Sequence, residues 1–267
     1  MSVSSEVAAA RPHLSRSAAF WFAIALIGQW AFAYYIVVFY GISTFHGDFA
    51  AWTKNTFLFK GYVAGDTPGN LFFAAHALVA AVTSFGGVIQ LIPQIRTYAL
   101  PLHRWNGRLF LLAAFAVALT GLYLVWIRGT QQSGAATTLN AVLIIACGSM
   151  AWRAVRAGDI ETHRRWALRT FLVANGQWFI RVGAAAWLIV THAVGIKGTF
   201  STFILFWSYG CYLVPLVILE LYLRSKESQT PSVRSAMAVT LFVLTAFMSL
   251  GVVATFFLFW QPLLAKV

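Results

Sequence analysis

Seven long apolar stretches, separated by short polar and basic segments, dominate the chain. A helix of roughly 20 residues, at about 1.5 Å per residue, crosses the hydrocarbon core of a bilayer, and each stretch reaches that length. The stretches lack the strict apolar–polar alternation that is typical of membrane barrel strands, and helices satisfy their own backbone hydrogen bonds in lipid. The pattern predicts an all-α polytopic membrane protein with seven transmembrane helices, at residues 18–40, 70–93, 107–127, 135–155, 166–190, 200–222 and 236–259.

The composition agrees with this prediction and excludes several other classes of protein. Of the 267 residues, 60% are hydrophobic and 10% are charged, whereas soluble domains average about 25% charged residues. Soluble enzyme folds, disordered chains and disulfide scaffolds are thereby excluded. The two cysteines, Cys147 and Cys211, fall within predicted spans, where we expect them to pack as small apolar side chains.

The basic residues are distributed unevenly between the two sides of the predicted bundle. Of the 19 Lys and Arg residues, 13 lie in the amino-terminal tail or in and beside the connections after the second, fourth and sixth spans. Because Lys and Arg are enriched in cytoplasmic loops, we expect a cytoplasmic amino terminus and an outside carboxy terminus. Topology thus explains the net charge of +12, and no nucleic-acid partner is required. The predicted organisation is a cytoplasmic tail, 1–17, and one membrane domain, 18–267, with an outer loop at 41–69.

One face of the second span carries polar and small residues. His76, Thr83 and Gln90 recur every seven residues, with Ala80 and Gly87 between them, which places them on the same side of a helix. Such a stripe faces protein rather than lipid, and small residues with Thr are typical of helix packing. An imidazole is a poor choice for packing alone, so His76 is either a packing residue or part of a functional site.

The fifth span carries Asn175, Gln177 and Arg181. Arg181 lies roughly 22 Å along the helix from its cytoplasmic end, at about 1.5 Å per residue. A guanidinium that is always charged needs an anion or a set of carbonyl groups at that depth, and no acidic residue lies at the matching depth of the predicted spans. Either the anion belongs to a ligand, such as a haem propionate or a substrate carboxylate, or Arg181 extends outward to carbonyls or phosphates near His192.

A repeat opens the third and fifth spans. One copy reads His-Arg-Trp-Asn-Gly-Arg from His103, and the other reads His-Arg-Arg-Trp-Ala-Leu-Arg from His163, 60 residues later. The repeat predicts a parallel duplication of a two-helix hairpin. Topology explains the arginines and tryptophans, but not a histidine at the same place twice. Two imidazoles on neighbouring helices are what a bis-histidine haem requires; they suit a divalent ion or a polar partner interface equally well.

At these residues the chain resembles a family of predicted bacterial membrane proteins that is catalogued as a domain of unknown function. Its members combine a His, a Gly and a Gln on an early span with His-Arg-Trp-x-Gly-Arg, Gly-Asp-x-x-x-His-Arg-Arg-Trp and a later Arg. The resemblance covers residues 70–190 and implies a shared four-helix core, spans two to five, in a bacterial inner membrane. The matching residues are His76, Gly87, Gln90, His103, Arg104, Trp105, Gly107, Arg108, Gly158, Asp159, His163, Arg164, Arg165, Trp166, Arg169 and Arg181.

A more distant resemblance is to four-helix b-type cytochromes of the ferric-reductase and ascorbate-reducible class. It implies haem b at the cytoplasmic side, with His103 and His163 as iron ligands, and an outer haem held by His76 and His192. The same-helix histidine spacing of those cytochromes is absent here. The candidate cofactor-binding residues are therefore His103, His163, His76, Arg181, Gln90 and His192.

Two functional hypotheses from different classes follow. In the first, the protein is an oxidoreductase component that transfers electrons across the membrane through haem b, with a quinone or another membrane redox protein as partner. His76 and Arg181 then form a second polar site near the outer face. In the second, it is a cofactor-free accessory subunit or a small-molecule transporter, in which the His-Arg-Trp elements dock helices or a partner. No nucleophile–base arrangement indicates turnover of a substrate.

Overall fold

A computed structural model describes the backbone of residues 3–55, 61–129, 133–193 and 200–265, and the side chains of all of these except 3–11 and 193. Within these residues the protein is entirely helical. Two π-helical segments, Val37–Ile42 and Thr255–Trp260, extend α1 and α10, and a 3-10 helix spans Phe49–Lys54. The α-helices are α1 (Val3–Ile36), α2 (Ser43–Phe45), α3 (Thr67–Leu91), α4 (Pro93–Tyr98), α5 (Leu100–Trp126), α6 (Gly134–Arg156), α7 (Ile160–Ala174), α8 (Gly176–Ala193), α9 (Phe200–Glu227), α10 (Pro231–Ala254) and α11 (Gln261–Leu264).

Six helical segments of the described chain are long and apolar enough to cross a membrane. They coincide with six of the seven predicted spans and confirm a polytopic all-α membrane protein. Most extend beyond the predicted ends, and α1 begins at Val3, so the predicted tail, 1–17, is helical from Val3 onward. The six segments are Pro12–Phe45, Thr67–Leu91, Leu100–Trp126, Gly134–Arg156, Phe200–Glu227 and Pro231–Leu264.

The remaining predicted span, 166–190, is not one continuous helix. It is divided between α7, of 15 residues, and α8, of 18 residues, which Asn175 separates. Asn175 donates from Nδ2 to the carbonyl oxygen of Phe171 at 2.8 Å, and asparagine side chains compete with the helix for such backbone groups. At about 1.5 Å per residue, α7 is too short to cross the hydrocarbon core alone. The break places a buried polar residue between two helix ends inside the bundle.

Aromatic contacts show that α1 and α10 run parallel. Phe20 faces Phe242 with ring centroids 5.5 Å apart, and twelve residues further along α1 Phe32 stacks on Trp260 at 5.3 Å. Along this contact the residue numbers of α1 and those of α10 with its π-helical extension increase in the same direction. The first and last long helices of the bundle are therefore neighbours that point in the same direction.

The α7–α8 pair runs antiparallel to α9. Arg169 of α7 forms a bidentate ion pair with Glu220, with N–O distances of 2.7 and 2.9 Å. Farther along, Trp187 of α8 stacks on Phe203 near the start of α9, with centroids 4.3 Å apart. The two short helices thus follow one another along the length of a single long helix.

At each end of the bundle an arginine side chain links two neighbouring segments. We call "basic end" the end with the connections after α3, α6 and α9, and "loop end" the opposite one. At the basic end, the buried Arg234 donates from Nε to the carbonyl oxygen of Ser228 at 2.8 Å, just beyond α9. At the loop end, Arg128 pairs with Asp66 at 3.1 Å and so joins the end of α5 to the start of α3.

The predicted outer loop, 41–69, packs onto the loop end. Trp52 of the 3-10 helix is buried, and its ring centroid lies 5.5 Å from that of Tyr40 and 5.4 Å from that of Phe73. Residues 56–60 lie outside the described residues. The described part of the loop therefore covers the ends of α1 and α3.

Candidate functional site

A cavity of about 120 Å³ lies inside the bundle, between its middle and the loop end. Its wall is made by α1, α3, α5, α6 and the α7–α8 pair. Polar groups inside a membrane bundle are costly and mark functional sites by default, which makes this cavity the candidate site. Its lining is mostly apolar, with a smaller set of polar side chains that includes Tyr35, His76, Thr83, Asn140, Asn175, Gln177 and Arg181.

Arg181 contributes a positive charge to the cavity wall. Its Nη1 donates to the carbonyl oxygen of Gln177 at 2.6 Å, and its guanidinium lies 5.0 Å from the ring centroid of Phe32 on α1. The carboxylates that form the described salt bridges pair with other arginines, nearer the ends of the bundle. A carbonyl oxygen and an aromatic face thus stabilise a charge that the guanidinium does not lose.

His76 reaches the cavity from α3 in a defined tautomer. Its Nδ1 lies 2.7 Å from Oγ1 of Thr120 on α5, and that hydroxyl donates its own proton to the carbonyl oxygen of Ala116 at 2.6 Å. The hydroxyl therefore accepts from Nδ1–H, a tautomer inferred from the hydrogen-bond chain. In the neutral ring, Nε2 is then left as a hydrogen-bond acceptor.

Three residues of the cavity wall each carry a buried polar atom that lacks a hydrogen-bond partner among the described residues. The atoms are Oδ1 of Asn140, Oδ1 of Asn175 and Nε1 of Trp178. These side chains are 9%, 2% and 1% exposed, respectively. Buried polar groups are almost always satisfied by protein, water or ligand, so a bound molecule or water is expected beside these side chains.

An asparagine of the outer loop bonds two tyrosines of the cavity wall. Asn55 donates from Nδ2 to the hydroxyl oxygens of Tyr35 at 3.1 Å and Tyr40 at 2.9 Å, and both tyrosines line the cavity. The two rings also meet edge to face, with centroids 5.9 Å apart. The predicted outer loop thereby contacts two side chains of the cavity wall.

The polar stripe of the second span is divided between the cavity and helix packing. His76 and Thr83 line the cavity. Gln90 instead donates from Nε2 to the backbone carbonyl oxygen of His103 at 3.1 Å, and its Oε1 lies close to Gly107. The structure therefore places Gln90 in the contact between α3 and α5, away from the cavity.

The two copies of the repeat share a local geometry at the basic end. The guanidinium of Arg108 lies 5.0 Å from the Trp105 ring centroid, and that of Arg169 lies 4.7 Å from the Trp166 ring centroid. In both copies, an arginine three residues after the tryptophan covers its indole. The repeat thus produces the same cation–π contact twice.

The repeated histidines lie outside the cavity and differ in their contacts. His163 bonds the carbonyl oxygen of Ala151 on α6 through Nδ1 at 2.9 Å. Nδ1 of His103 is buried without a partner among the described residues. The helices that carry the two histidines, α5 and α7, both pack against α6.

The other sequence candidates lie apart. His192 is exposed on α8, eleven residues and about 16 Å beyond Arg181 at the helical rise, so the structure does not bring it beside His76. Cys147 and Cys211 are buried free thiols. Among the described residues, no group of three or more His, Cys, Asp and Glu side chains is arranged to hold a metal ion.

Several cavity residues were not among the sequence candidates. Tyr35 and Tyr40 belong to the first span, outside the predicted four-helix core 70–190. The sequence around Trp178 does not distinguish it from the other aromatic residues of the spans. Asn140 could have been predicted from the sequence, because an amide side chain in the middle of an apolar span is costly unless it has hydrogen-bond partners. Its contribution appears only once α6 is packed against the α7–α8 pair, where Asn140 lies beside Gly176.

A family model described as "Predicted membrane protein (DUF2306)" matches residues 73–223. The matched region runs from the third helix into the ninth and contains both copies of the repeat. No curated protein and no solved structure matches the chain.

Proposed function

The chain belongs to this family of predicted membrane proteins, and on that premise we propose that it is a seven-crossing bundle that binds a small polar molecule in its central cavity. Transport of that molecule, or its presentation to a partner subunit, is the accompanying role. The observation that carries the proposal is that three residues of the cavity wall, Asn140, Asn175 and Trp178, each have a buried polar atom without a hydrogen-bond partner among the described residues. An unfilled polar site of this kind is costly in a bundle.

Seven crossings are supported by the directions of the helices. Because α1 and α10 are parallel, an odd number of crossings lies between them. Helices α3, α5, α6 and α9 supply four, and the α7–α8 pair, which follows α9 along its length, supplies the fifth. The predicted span 166–190 is then a single crossing with an internal break.

The proposed orientation places the basic end in the cytoplasm, as the distribution of Lys and Arg predicts. Cysteine accessibility tests both orientation and crossing number, since the native thiols are buried. A membrane-impermeant maleimide is expected to label an exposed His192→Cys in intact cells, and an exposed Ala157→Cys only after permeabilisation. Labelling of both from the same side would contradict a crossing between them.

Small-molecule binding is tested by identifying what the purified protein carries. Protein extracted directly into lipid nanodiscs is denatured, and the released molecules are identified by mass spectrometry. Ala141→Leu adds bulk to the cavity wall, and Ala146→Leu adds the same bulk to an exposed position of the same helix. We expect one small molecule to accompany wild type and A146L but not A141L. Equal recovery from both variants, or no such molecule in wild type, would contradict the proposal.

Haem b at the basic end is a second candidate, favoured by one observation. His163 bonds the Ala151 carbonyl through Nδ1, which is the contact that orients a metal-ligating histidine and leaves Nε2 for the metal. His103 lies on α5, which packs against α6 as α7 does. When bound, haem supplies one-electron transfer. The central cavity is far too small for a porphyrin, so His76 and Arg181 do not fit a haem site there.

Reduced-minus-oxidised absorbance spectra test the haem candidate. If it is correct, haem-supplemented protein shows Soret and α-band changes that His103→Ala and His163→Ala abolish and His76→Ala retains. A spectrum that does not change on reduction rejects it, and leaves the cavity proposal unaffected.

A further inference from the structure

We infer that the first copy of the repeat binds the headgroup of an anionic phospholipid at the basic end of the bundle. The binding surface consists of Arg104, Trp105 and Arg108 at the start of α5, and we call it the α5 basic surface. None of these residues lines the central cavity. This role therefore goes beyond the proposed function and does not depend on what the cavity contains.

The depth of the α5 basic surface follows from two exposed tryptophans of the same helix. Trp105 is 69% exposed, and Trp126, at the other end of α5, is 63% exposed. The distance between them along the helix is about 31 Å at the rise of 1.5 Å per residue, which matches the hydrocarbon thickness of about 30 Å. Because tryptophans are enriched at both interfaces of a membrane, Trp105 is placed at the level of the lipid headgroups.

The two arginines bring their charges to the same level on a face that is turned toward lipid. Trp105, Arg108 and Leu112 share one face of α5 by their spacing, and all three are exposed. Arg108 begins about one turn deeper than Trp105, but its guanidinium lies 5.0 Å from the Trp105 ring centroid. Long basic side chains extend toward the interface in this way. The exposed Arg104 directly precedes the tryptophan.

In the second copy of the repeat, carboxylates of the protein neutralise the arginines at the corresponding positions. Arg165, directly before the tryptophan, pairs with Glu161 at 3.0 Å and also with Glu227. Arg169, three residues after the tryptophan, forms the bidentate pair with Glu220. Both arginines that flank this tryptophan thus have an anionic partner within the bundle.

The first copy differs in this respect. Within the part of the chain that the structure describes, neither Arg104 nor Arg108 forms a salt bridge. Two guanidiniums that are always charged therefore flank an exposed tryptophan without a carboxylate from the described residues. At headgroup depth and on a lipid-facing side, the anion that is at hand is the phosphate of a phospholipid.

The chemistry of the guanidinium group favours a headgroup with a net negative charge. A planar guanidinium bonds two phosphate oxygens at once, so the two arginines together can hold one phosphodiester. Phosphatidylethanolamine carries the same phosphate, but its ammonium group is repelled by a basic surface. Phosphatidylglycerol has no such cation, and a basic residue near an anionic leaflet strengthens binding by about fivefold.

Competition between these two lipids tests the inference on the full chain. The protein is purified in detergent with equimolar phosphatidylglycerol and phosphatidylethanolamine of identical acyl chains, and the lipids that stay bound are counted by native mass spectrometry. We expect phosphatidylglycerol to be retained at least tenfold over phosphatidylethanolamine. Equal retention of the two lipids by the wild type overturns the inference.

Two double variants locate the preference. Arg104→Gln combined with Arg108→Gln is expected to abolish it. Arg153→Gln combined with Arg156→Gln removes two exposed arginines from the same end, on α6, and is expected to retain it. An equal loss in both double variants would assign the preference to the general charge of the basic end and overturn the site. Should the first double variant not be monodisperse, Arg104→Gln alone is expected to weaken the preference about fivefold, and an unchanged preference overturns the site equally.

Two further probes distinguish the lipid from other anions. Excess inorganic phosphate is expected to leave the bound phosphatidylglycerol in place, and its displacement would assign the surface to a soluble anion. A polyglutamate peptide is expected to bind more weakly than phosphatidylglycerol. Tighter binding of that peptide, lost when Arg104 and Arg108 are replaced, would assign the surface to an acidic protein partner and overturn the inference. Each of these outcomes leaves the cavity proposal unaffected.

Discussion

Helices α5 and α7 begin with the same motif and end in different surroundings. In both, an arginine covers the tryptophan three residues before it. Trp105 of α5 is 69% exposed, however, and α5 continues without interruption to Trp126. Trp166 of α7 is partly buried, and α7 ends after 15 residues at Asn175. The motif produces the same cation–π contact near the start of each helix, whereas the neighbouring helices determine its burial and its length.

The difference in neighbours accounts for the difference in role. Helix α5 presents large apolar side chains such as Leu112 and Leu119 outward, as a lipid-facing helix does. The α7–α8 pair is enclosed by α6, α9 and α10 and delivers Asn175 and Arg181 to the cavity. A polar break is tolerated where other helices surround it, and it is not tolerated against lipid.

The largest difference in the free energy of unfolding is expected from a methyl group added to α5 or to the α7–α8 pair. A Cβ at Gly183 of α8 would lie 2.3 Å from the ring of Trp207, whereas a Cβ at Gly121 of α5 would lie 3.6 Å from His76. We expect Gly183→Ala to lower the free energy of unfolding by about 1–3 kcal/mol through overpacking. Gly121→Ala is expected to be neutral, or stabilising by up to about 1 kcal/mol through helix propensity.

Thermal unfolding in nanodiscs, followed by tryptophan fluorescence, compares the two glycine variants. If Gly121→Ala destabilises the protein as much as Gly183→Ala does, the α8–α9 contact is no tighter than the surroundings of α5, and the comparison fails.

The second test uses the arginines of the two motifs. Arg169 adds a bidentate ion pair with Glu220 to its cation–π contact. Because the pair is partly exposed, we expect Arg169→Leu to cost about 1–2 kcal/mol, less than for a fully buried pair. Arg108→Leu, which loses the contact with the exposed Trp105, is expected to cost about 0.5 kcal/mol. Denaturant titration of both variants measures the difference, and Glu220→Gln should reproduce most of the loss of Arg169→Leu.

The third test uses the histidines. His163 bonds the carbonyl oxygen of Ala151 on the neighbouring helix, and interhelical hydrogen bonds in membranes contribute about 0.5–1.5 kcal/mol. His163→Ala is expected to lose that amount of unfolding free energy. His103→Ala removes a ring whose Nδ1 has no partner among the described residues, and leaves the backbone carbonyl that Gln90 uses. The reverse ranking of the two variants would show that the His103 ring has the stronger contacts.

The smallest effect is expected at the helix starts. Helix α7 has Asp159 as its N-cap, which accepts from the backbone N–H of Thr162 at 3.0 Å, whereas α5 has Ala99 and no side-chain cap. The hydrogen bonds from Thr162 lower the pKa of Asp159 below its usual value of 3.8. The stabilisation is therefore complete above pH 3.8 and is lost as pH falls through the lowered pKa.

Asp159→Ala is accordingly expected to lower Tm slightly at neutral pH, with the difference from wild type vanishing in strong acid. Asp159→Ser keeps the cap without a titrating group and should show no such pH dependence. A difference that persists unchanged at low pH would assign the effect to something other than the carboxylate.

Sequence alone predicted the helices well and the site in part. The length of the apolar stretches identified the six long segments, because the length that is needed to cross a bilayer does not depend on how the helices pack. It did not reveal the break, since one Asn between two apolar runs leaves the hydropathy almost unchanged. His76 and Arg181 were selected as costly polar residues and do line the cavity.

Gln90 and His192 were selected on the same ground and lie elsewhere, because rotation and depth of a helix are set by the packing of its neighbours. Gln90 is turned toward the backbone of α5, and His192 lies a further three turns along α8. Tyr35 is missing from the predicted site for the same reason. Tyr35 is hydrogen-bonded by Asn55 of the outer loop, and the sequence around Tyr35 does not indicate this contact.

The broken crossing also has a consequence for how the protein enters the membrane. An arginine near the centre of a helix raises the free energy of membrane insertion by about 2.5–3.5 kcal/mol, which the apolar residues of the same helix must offset. The α7–α8 pair carries Arg181, together with Asn175 and Gln177, and neither half meets the length and hydropathy of a membrane-spanning helix. In the folded bundle α6, α9 and α10 surround the pair, and we expect its insertion into the membrane to depend on these neighbours. Deletion of α9 is therefore expected to impair insertion of the α7–α8 pair more than that of α5.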